Sequence, residues 1–246
     1  MKETIQVDIN SVKKYYDTFS RKCENWPNKY NIKRQISKFL SDYTLLSKIN
    51  LNNKSVLNIG CSEPIDEIFW VNIIKEWHSL DINKDIIEIS KKMTEESLPE
   101  NLNKKIKFIL GDATKMELAD GYYDIVTAFS TIEHIPGEKN REKAFKEIYR
   151  VLKKDGYLII TVPNKWDFRD YLESKRIRKL NISAPYEYNY SPIELKKILI
   201  QNKFKILASA STGFNPWSHI DRALKKLKLG NCVVYTGRRF GFLAQK

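Results

Sequence analysis

Residues 55–64 read SVLNIGCSEP, and the fold of the chain turns on how that stretch is understood. Ser55 to Ile59 is a short apolar run between the polar Asn52-Asn53-Lys54 and a glycine turn, the pattern of a buried strand. Gly60 reaches backbone angles closed to other residues and leaves room at the main chain. Pro64, Asp66 and Glu67 suit the first turn of a helix, whose amides lack intrahelical partners and favour negative charge. The stretch therefore predicts strand, tight turn, helix. Asp81 follows Gly60 by 21 positions and closes the segment Trp77 to Asp81. In nucleotide-binding α/β folds an acid about 20 residues beyond the glycine turn accepts hydrogen bonds from ribose hydroxyls. Its alternative is to cap the helix that NKDIIEISKKM predicts.

Working outward, 77–81 reads as a second strand, 106–110 (IKFIL) as a third and 124–129 as a fourth. Residues 65–76 and 141–154 read as helices, with Asp155-Gly156 ending the latter. Residues 157–162 (YLIITV) supply a fifth strand, Ser191 caps a helix beginning at Pro192, and 204–210 forms a sixth strand. Residues 215–229 suggest a basic helix, and 232–236 with 240–244 a bulged strand or hairpin. Before the first strand, apolar and aromatic positions from Val12 to Phe19 and from Ile36 to Leu46 fall at spacings of three and four. Two helices are predicted, separated at Asn25-Trp26-Pro27-Asn28.

The ordered segments VLNIGCSEP, LDIN (80–83), GDATKMEL (111–118), DIVTAFSTIEHIPG (124–137) and FKEIYRVLKKDGYLIITVPN (145–164) resemble the class I S-adenosylmethionine-dependent methyltransferases, in particular the type 11-like group that modifies small molecules. The resemblance implies an α/β fold, a Rossmann-like seven-stranded, mostly parallel sheet with helices on both faces and its last strand antiparallel. It implies a lid over residues 1–50, a methyltransferase domain over 51–246 and an acceptor-side insertion at about 164–191. S-adenosyl-L-methionine is the cofactor it implies. Asn58, Gly60 and Cys61 then form the first turn, Asp81 holds the ribose, and Ile82 lies against the adenine. Asp112 accepts from the adenine amino group, with the Ala113 backbone facing the ring. Phe129 and Ser130 flank the cofactor, Tyr16 belongs to the lid with Tyr15, and Arg21 meets the methionine carboxylate. His134 faces the acceptor as a candidate base, its imidazole titrating near neutrality. Trp166, Arg169, Tyr171, Arg176, Arg178, Tyr186 and Tyr188 are candidate acceptor contacts, with a solvated basic helix as the alternative.

The first turn departs from the family's Asp-x-Gly-x-Gly-x-Gly, having Asn58, Gly60, Ser62 and Pro64 in those places. An amide replaces a carboxylate that would favour the cofactor's ammonium, although its oxygen still accepts a hydrogen bond. Ser62 is placed to cap the helix that follows.

Composition bounds the rest. The 246 residues suffice for one substantial core, and 42% hydrophobic with 30% charged residues is the balance of a globular chain. No apolar run approaches the roughly 18–20 residues of a membrane span, and the amino terminus opens no signal peptide, so a cytoplasmic location is expected. Cys23, Cys61 and Cys232 lie far apart and the three histidines are scattered, so neither a metal site nor a disulfide framework is expected. A net charge of +13 favours acidic partners: phosphorylated metabolites, anionic lipid or nucleic acid. The leading expectation is methyl transfer to O or N of a small anionic metabolite. An RNA methyltransferase and a non-catalytic cofactor-binding protein are the alternatives, and a nicotinamide-dependent oxidoreductase is disfavoured by the GDATKMEL and STIEHIPG segments. The sequence leaves the oligomeric state open.

Overall fold

The computed structural model describes residues 42–61, 64–167, 187–212 and 239–246. Seven strands form one sheet in the order β3-β2-β1-β4-β5-β7-β6, with β1 at Ser55–Ile59, β2 at Glu76–Asp81, β3 at Ile106–Leu110, β4 at Tyr123–Phe129, β5 at Leu152–Pro163, β6 at Lys205–Thr212 and β7 at Arg239–Gln245. The first five strands pair in parallel, and β7 runs antiparallel to both β5 and β6. This is the Rossmann-like arrangement expected, down to the reversed last strand. The order reverses between β1 and β4, which puts the topological switch point, and with it the ligand-binding crevice of an open α/β sheet, at their carboxyl ends.

Side chains alternate between two cores because successive residues of a strand point to opposite faces. Leu57, Ile59, Val126, Leu158 and Ile160 pack with Ala144, Phe145, Ile148 and Val151 of α4 (Glu138–Val151) and with Leu195 and Leu199 of α5 (Pro192–Gln201). Val56, Trp77, Ile125, Phe129 and Ile159 pack on the other face with Leu45 and Leu46. Residues 42–46 are helical, and this turn is fixed to the sheet by Thr161 Oγ1 donating to Asp42 Oδ1 at 3.1 Å and by Tyr43 stacking on Trp70 at 5.6 Å. The remainder of the expected lid, with Tyr15, Tyr16 and Arg21, lies outside the described residues. So do the expected elements at 215–229 and 232–236, and Arg169, Tyr171, Arg176, Arg178 and Tyr186.

Several boundaries differ from expectation. The helix after β1, α1, spans only Ile65–Trp70 instead of continuing to residue 76, because Val71 to Lys75 turn back to join the sheet: Asn53 N donates to Ile73 O and Lys75 N to Lys54 O. Ser55 then pairs with Glu76, so β2 begins one residue earlier than the apolar pattern suggests. Helix α4 ends at Val151, three residues before the expected stop, because buried Leu152 pairs with Tyr123 and starts β5 through an irregular register. Asp155 keeps the left-handed turn that the sequence placed there, with φ 62. Helix α5 begins as expected, with Ser191 and Glu194 forming a reciprocal capping box. The sixth strand runs slightly later than expected, at 205–212.

Candidate functional site

The carboxyl edge of the sheet gathers most of the described site candidates. Asp81 ends β2 and pairs in register with Leu110, so Asp112, two residues beyond, lies at the neighbouring strand end. Gly111 N donates to Asp81 O at 2.8 Å and locks the two ends together. Both aspartates are half-buried. Asp81 Oδ1 accepts from Asn83 N at 2.9 Å and Oδ2 faces Cys61 Sγ at 3.8 Å. The helix that follows, α2 (Lys84–Ser97), is capped by Asn83, whose Oδ1 accepts from Ile86 N at 2.9 Å, so Asp81 is not consumed as the cap. Asp112 Oδ1 accepts from Thr114 N at 2.7 Å, an Asx turn that holds the loop against the edge. Ile82 and Ala113 are half-buried beside the two acids.

The first turn is built differently from the simple cradle its glycine suggests. Gly60 has φ 80, and a Cβ there would lie 2.2 Å from Thr131 Oγ1. That hydroxyl donates to Ile59 O at 2.8 Å, so a side chain from the segment after β4 seals the root of the crevice across the switch point. Asn58 is buried and its amide is spent internally: Nδ2 donates to Glu67 Oε1 at 2.8 Å and Oδ1 accepts from Thr127 Oγ1 at 3.0 Å. Glu67, fully buried, also accepts from Ser79 Oγ at 2.8 Å. The acid missing at position 58 thus reappears nine residues later, holding β1, α1 and β2 in one network. The sequence reading took Glu67 only as a first-turn acid of the helix and did not single out Thr131; a carboxylate in an otherwise apolar helix was the available signal for the buried role of the former. Ser62 lies outside the described residues, and α1 starts from Pro64 without a side-chain cap.

Cys61 is buried, and burial together with the neighbouring Asp81 and Glu67 charges pushes its thiol well up, so it packs as a neutral group. Phe129 is turned into the core with Leu45 and Leu46, leaving its backbone at the edge. Ser130 has the left-handed φ of 52, and its buried Oγ has no hydrogen-bond partner among the described residues. A strained backbone and an orphaned hydroxyl at the switch point are the marks of a position held for a ligand.

His134 closes the short 3-10 turn Ile132–His134 and is half-buried. Beside it is a buried polar cluster that the sequence reading did not assemble. Glu133 is fully buried, neither carboxyl oxygen has a hydrogen-bond partner among the described residues, and burial raises its pKa against the opposing pull of His134 and Arg239. Tyr190 Oη and Arg239 Nε and Nη2 are likewise buried without partners among the described residues. Tyr188 N donates to Glu133 O, its ring lies 4.0 Å beneath the Arg141 guanidinium, and its hydroxyl donates to Glu194, which pushes its pKa up to about 12. Of the insertion candidates, Trp166 is exposed and Tyr188 joins this cluster. Among the described residues no three His, Cys, Asp or Glu side chains are placed to hold a metal ion.

The residues present fit a nucleoside. Two acids stand at adjacent strand ends, an apolar residue flanks each, and a serine hydroxyl without a partner among the described residues sits at the switch point. Comparison with known proteins agrees. Residues 57–160 match a family described as a methyltransferase domain. An uncharacterized protein of Methanocaldococcus jannaschii is 24% identical over 240 residues, 89% of this chain and 93% of that one. The demethylmenaquinone methyltransferase of Bacteroides fragilis is 26% identical over 168 residues, 65% of this chain and 64% of the enzyme, so the chain spans under two thirds of that enzyme's length. Magnesium protoporphyrin IX methyltransferase from Synechocystis, solved with bound S-adenosylhomocysteine, shares the fold with a TM-score of 0.68 at 16% identity, covering 96% of this chain and 98% of that one. Over residues 57–160 the chain matches the methyltransferase domain family, and over nearly its whole length it shares the fold of a methyltransferase solved with S-adenosylhomocysteine.

Proposed function

We propose that this domain transfers a methyl group to an oxygen or nitrogen of a small anionic metabolite, with the nucleoside seated over the carboxyl ends of β1, β2 and β3 and the acceptor over the carboxyl ends of β4 and β5 and the amino end of the antiparallel β7. The observation that carries the reading is the pair of strand-end acids, Asp81 and Asp112, locked side by side next to the switch point. Asp81 presents carboxylate oxygens to two adjacent hydroxyls, a geometry only an acceptor-only group satisfies. Asp112, fixed by its turn, accepts from an exocyclic amine. Ser130 offers its hydroxyl where the crevice narrows. Bound S-adenosylmethionine supplies an electrophilic methyl on a sulfonium, so the protein's task is alignment, dehydration and removal of one proton from the acceptor.

The acceptor side supports an anion. Arg239 and Arg141 bring two guanidinium groups to the region of Glu133, Tyr188 and Tyr190; Arg141 donates to Ile135 O, and an anionic group entering there satisfies Arg239 Nε and Nη2, which have no partner among the described residues. Glu133, held toward its neutral form by burial, then donates rather than repels. His134, adjacent to Glu133 in the chain, is the proposed base. Similarity to a methyltransferase named for demethylmenaquinone supports a small molecule over RNA.

A second reading, nucleoside binding without turnover, is favoured by Thr131 occupying the free face of Gly60. Titration calorimetry with S-adenosylmethionine, S-adenosylhomocysteine and NAD, followed by transfer of labelled methyl into a metabolite extract and into bulk RNA, separates the readings. Heat from the first two ligands with label in small molecules is expected. Label confined to RNA reverses the acceptor class, affinity without transfer supports the second reading, and heat only from NAD ends the methyl-transfer account.

A further inference from the structure

On the edge of the sheet formed by β6, α5 turns two stripes in opposite directions. Pro192, Leu195 and Leu199 are buried against the sheet. Ile193, Lys196, Lys197 and Ile200, spaced three, four and seven apart, form a single outward stripe roughly 10 Å long. Ile193 and Ile200 are 59% and 55% exposed. The surface continues into β6, where a register shift between Ile206 and Ala208 leaves Leu207 opposite no residue of β7 and 43% exposed. Between helix and strand runs a groove of about 500 Å³ with Lys196 and Lys205 on its walls and Phe204 and Phe242 along its floor. The exposed positions from residue 193 to 207 are three aliphatics, four lysines and Gln201, with no acid. The one acid in that span, Glu194, is taken up by the capping box and by Tyr188.

We propose that this face docks the domain on a bilayer containing anionic lipid. Charge complementarity chooses the partner: four lysines with no ion-paired acid among the described residues meet a negative surface, and long lysine stems let the ammonium groups reach headgroups while Ile193, Ile200 and Leu207 enter the acyl boundary. A second copy of the chain is the poorer occupant. Like charge repels it, and the bulge at Leu207 with Lys205 beside it blunts the edge strand against pairing with another. Nucleic acid is poorer too, because the stripe carries aliphatics and no aromatic platform on which bases stack. The face is remote from Asp81 and Asp112, which lie at the other end of the strand order, so the inference does not rest on the proposed reaction.

Sedimentation of the full chain with sucrose-loaded vesicles tests it, using phosphatidylcholine alone and an equal mixture with phosphatidylglycerol. Binding to the mixed vesicles only, weakening with salt, is expected. The double variant Lys196→Glu/Lys205→Glu should lower the partition coefficient about tenfold or more, and Ile200→Ser/Leu207→Ser about fivefold. All four side chains face solvent, and unchanged thermal unfolding confirms that each variant is folded. Equal partition onto neutral vesicles, no partition at all, or wild-type binding by both double variants overturns the proposal. So does complete competition by polyuridylate or polyglutamate combined with indifference to the serine variants, which marks an acidic macromolecule as the partner.

Discussion

Two acids, Asp81 and Glu133, are open to measurement. Asp81 stands at a half-buried strand end, and replacing it by alanine removes the acceptor proposed for the ribose. Affinity for S-adenosylhomocysteine should fall by about 1.5–3 kcal/mol, roughly 10- to 100-fold, as read by calorimetry. Asp81→Asn, which keeps an oxygen for Asn83 N, should lose less. Glu133 is a carboxyl whose raised pKa makes the folded state favour the proton. The stabilisation from that proton is fully present below the unfolded carboxyl value of about 4.3 and is lost as pH rises through the higher folded value. Glu133→Gln should therefore match the native chain in thermal stability at acid pH and exceed it by roughly 1 kcal/mol near pH 8, in scanning calorimetry. Lower turnover in the same variant would place the carboxyl in the acceptor pocket. The spacing from Gly60 pointed to Asp81, but the Glu133 assignment does not show in the sequence alone, because its burial depends on Tyr188, Tyr190 and Arg239, brought together only by the sheet order.

At the scale of elements, what was legible was set by local chemistry. Strand β1 and the start of α5 appear where the apolar run and the Ser191-Pro192 signal put them, because burial pattern and capping act within a few residues. Helix α1 and the junction of α4 with β5 were misjudged because Ser55 to Glu76 and Tyr123 to Leu152 pairing, both long-range, override helix-compatible sequence. The first turn shows the same division. Its glycine was read as room for a ligand, whereas the residue pressing on it comes from the far side of the crevice. Gly60→Ala should thus destabilise the fold by about 3 kcal/mol, from left-handed backbone strain and from overpacking against Thr131, measured by urea unfolding. An effect below about 1 kcal/mol would show that Thr131 swings away freely.

For the molecule as a whole, the sheet is a rigid support continuous from β3 to β6, while the proposed ligands lie along one of its edges and the proposed membrane face at one of its ends. A ligand that binds only the folded state adds stability by mass action. S-adenosylhomocysteine at about 100 times its dissociation constant should contribute about 2.7 kcal/mol and raise Tm by about 5–10 °C, whereas NAD should leave it unmoved. The seven-stranded, mostly parallel sheet and its reversed last strand were legible because motifs in fixed succession resemble those of one family. The acceptor pocket was not, since three of its contributors come from segments 133, 188–190 and 239, far apart in the chain.

The hydroxyl that Thr131 sets on the carbonyl of Ile59 makes positions 60 and 131 a single unit of variation. Sequences sharing this arrangement should accept a side chain at the first only when the second shrinks. In a double-mutant cycle Gly60→Ala and Thr131→Gly should be strongly non-additive, the second change relieving the collision and leaving only the backbone penalty of about 1–2 kcal/mol. The crevice proposed for the methyl donor can therefore be widened at its root from either wall, and the glycine turn and the segment that faces it have to evolve as partners.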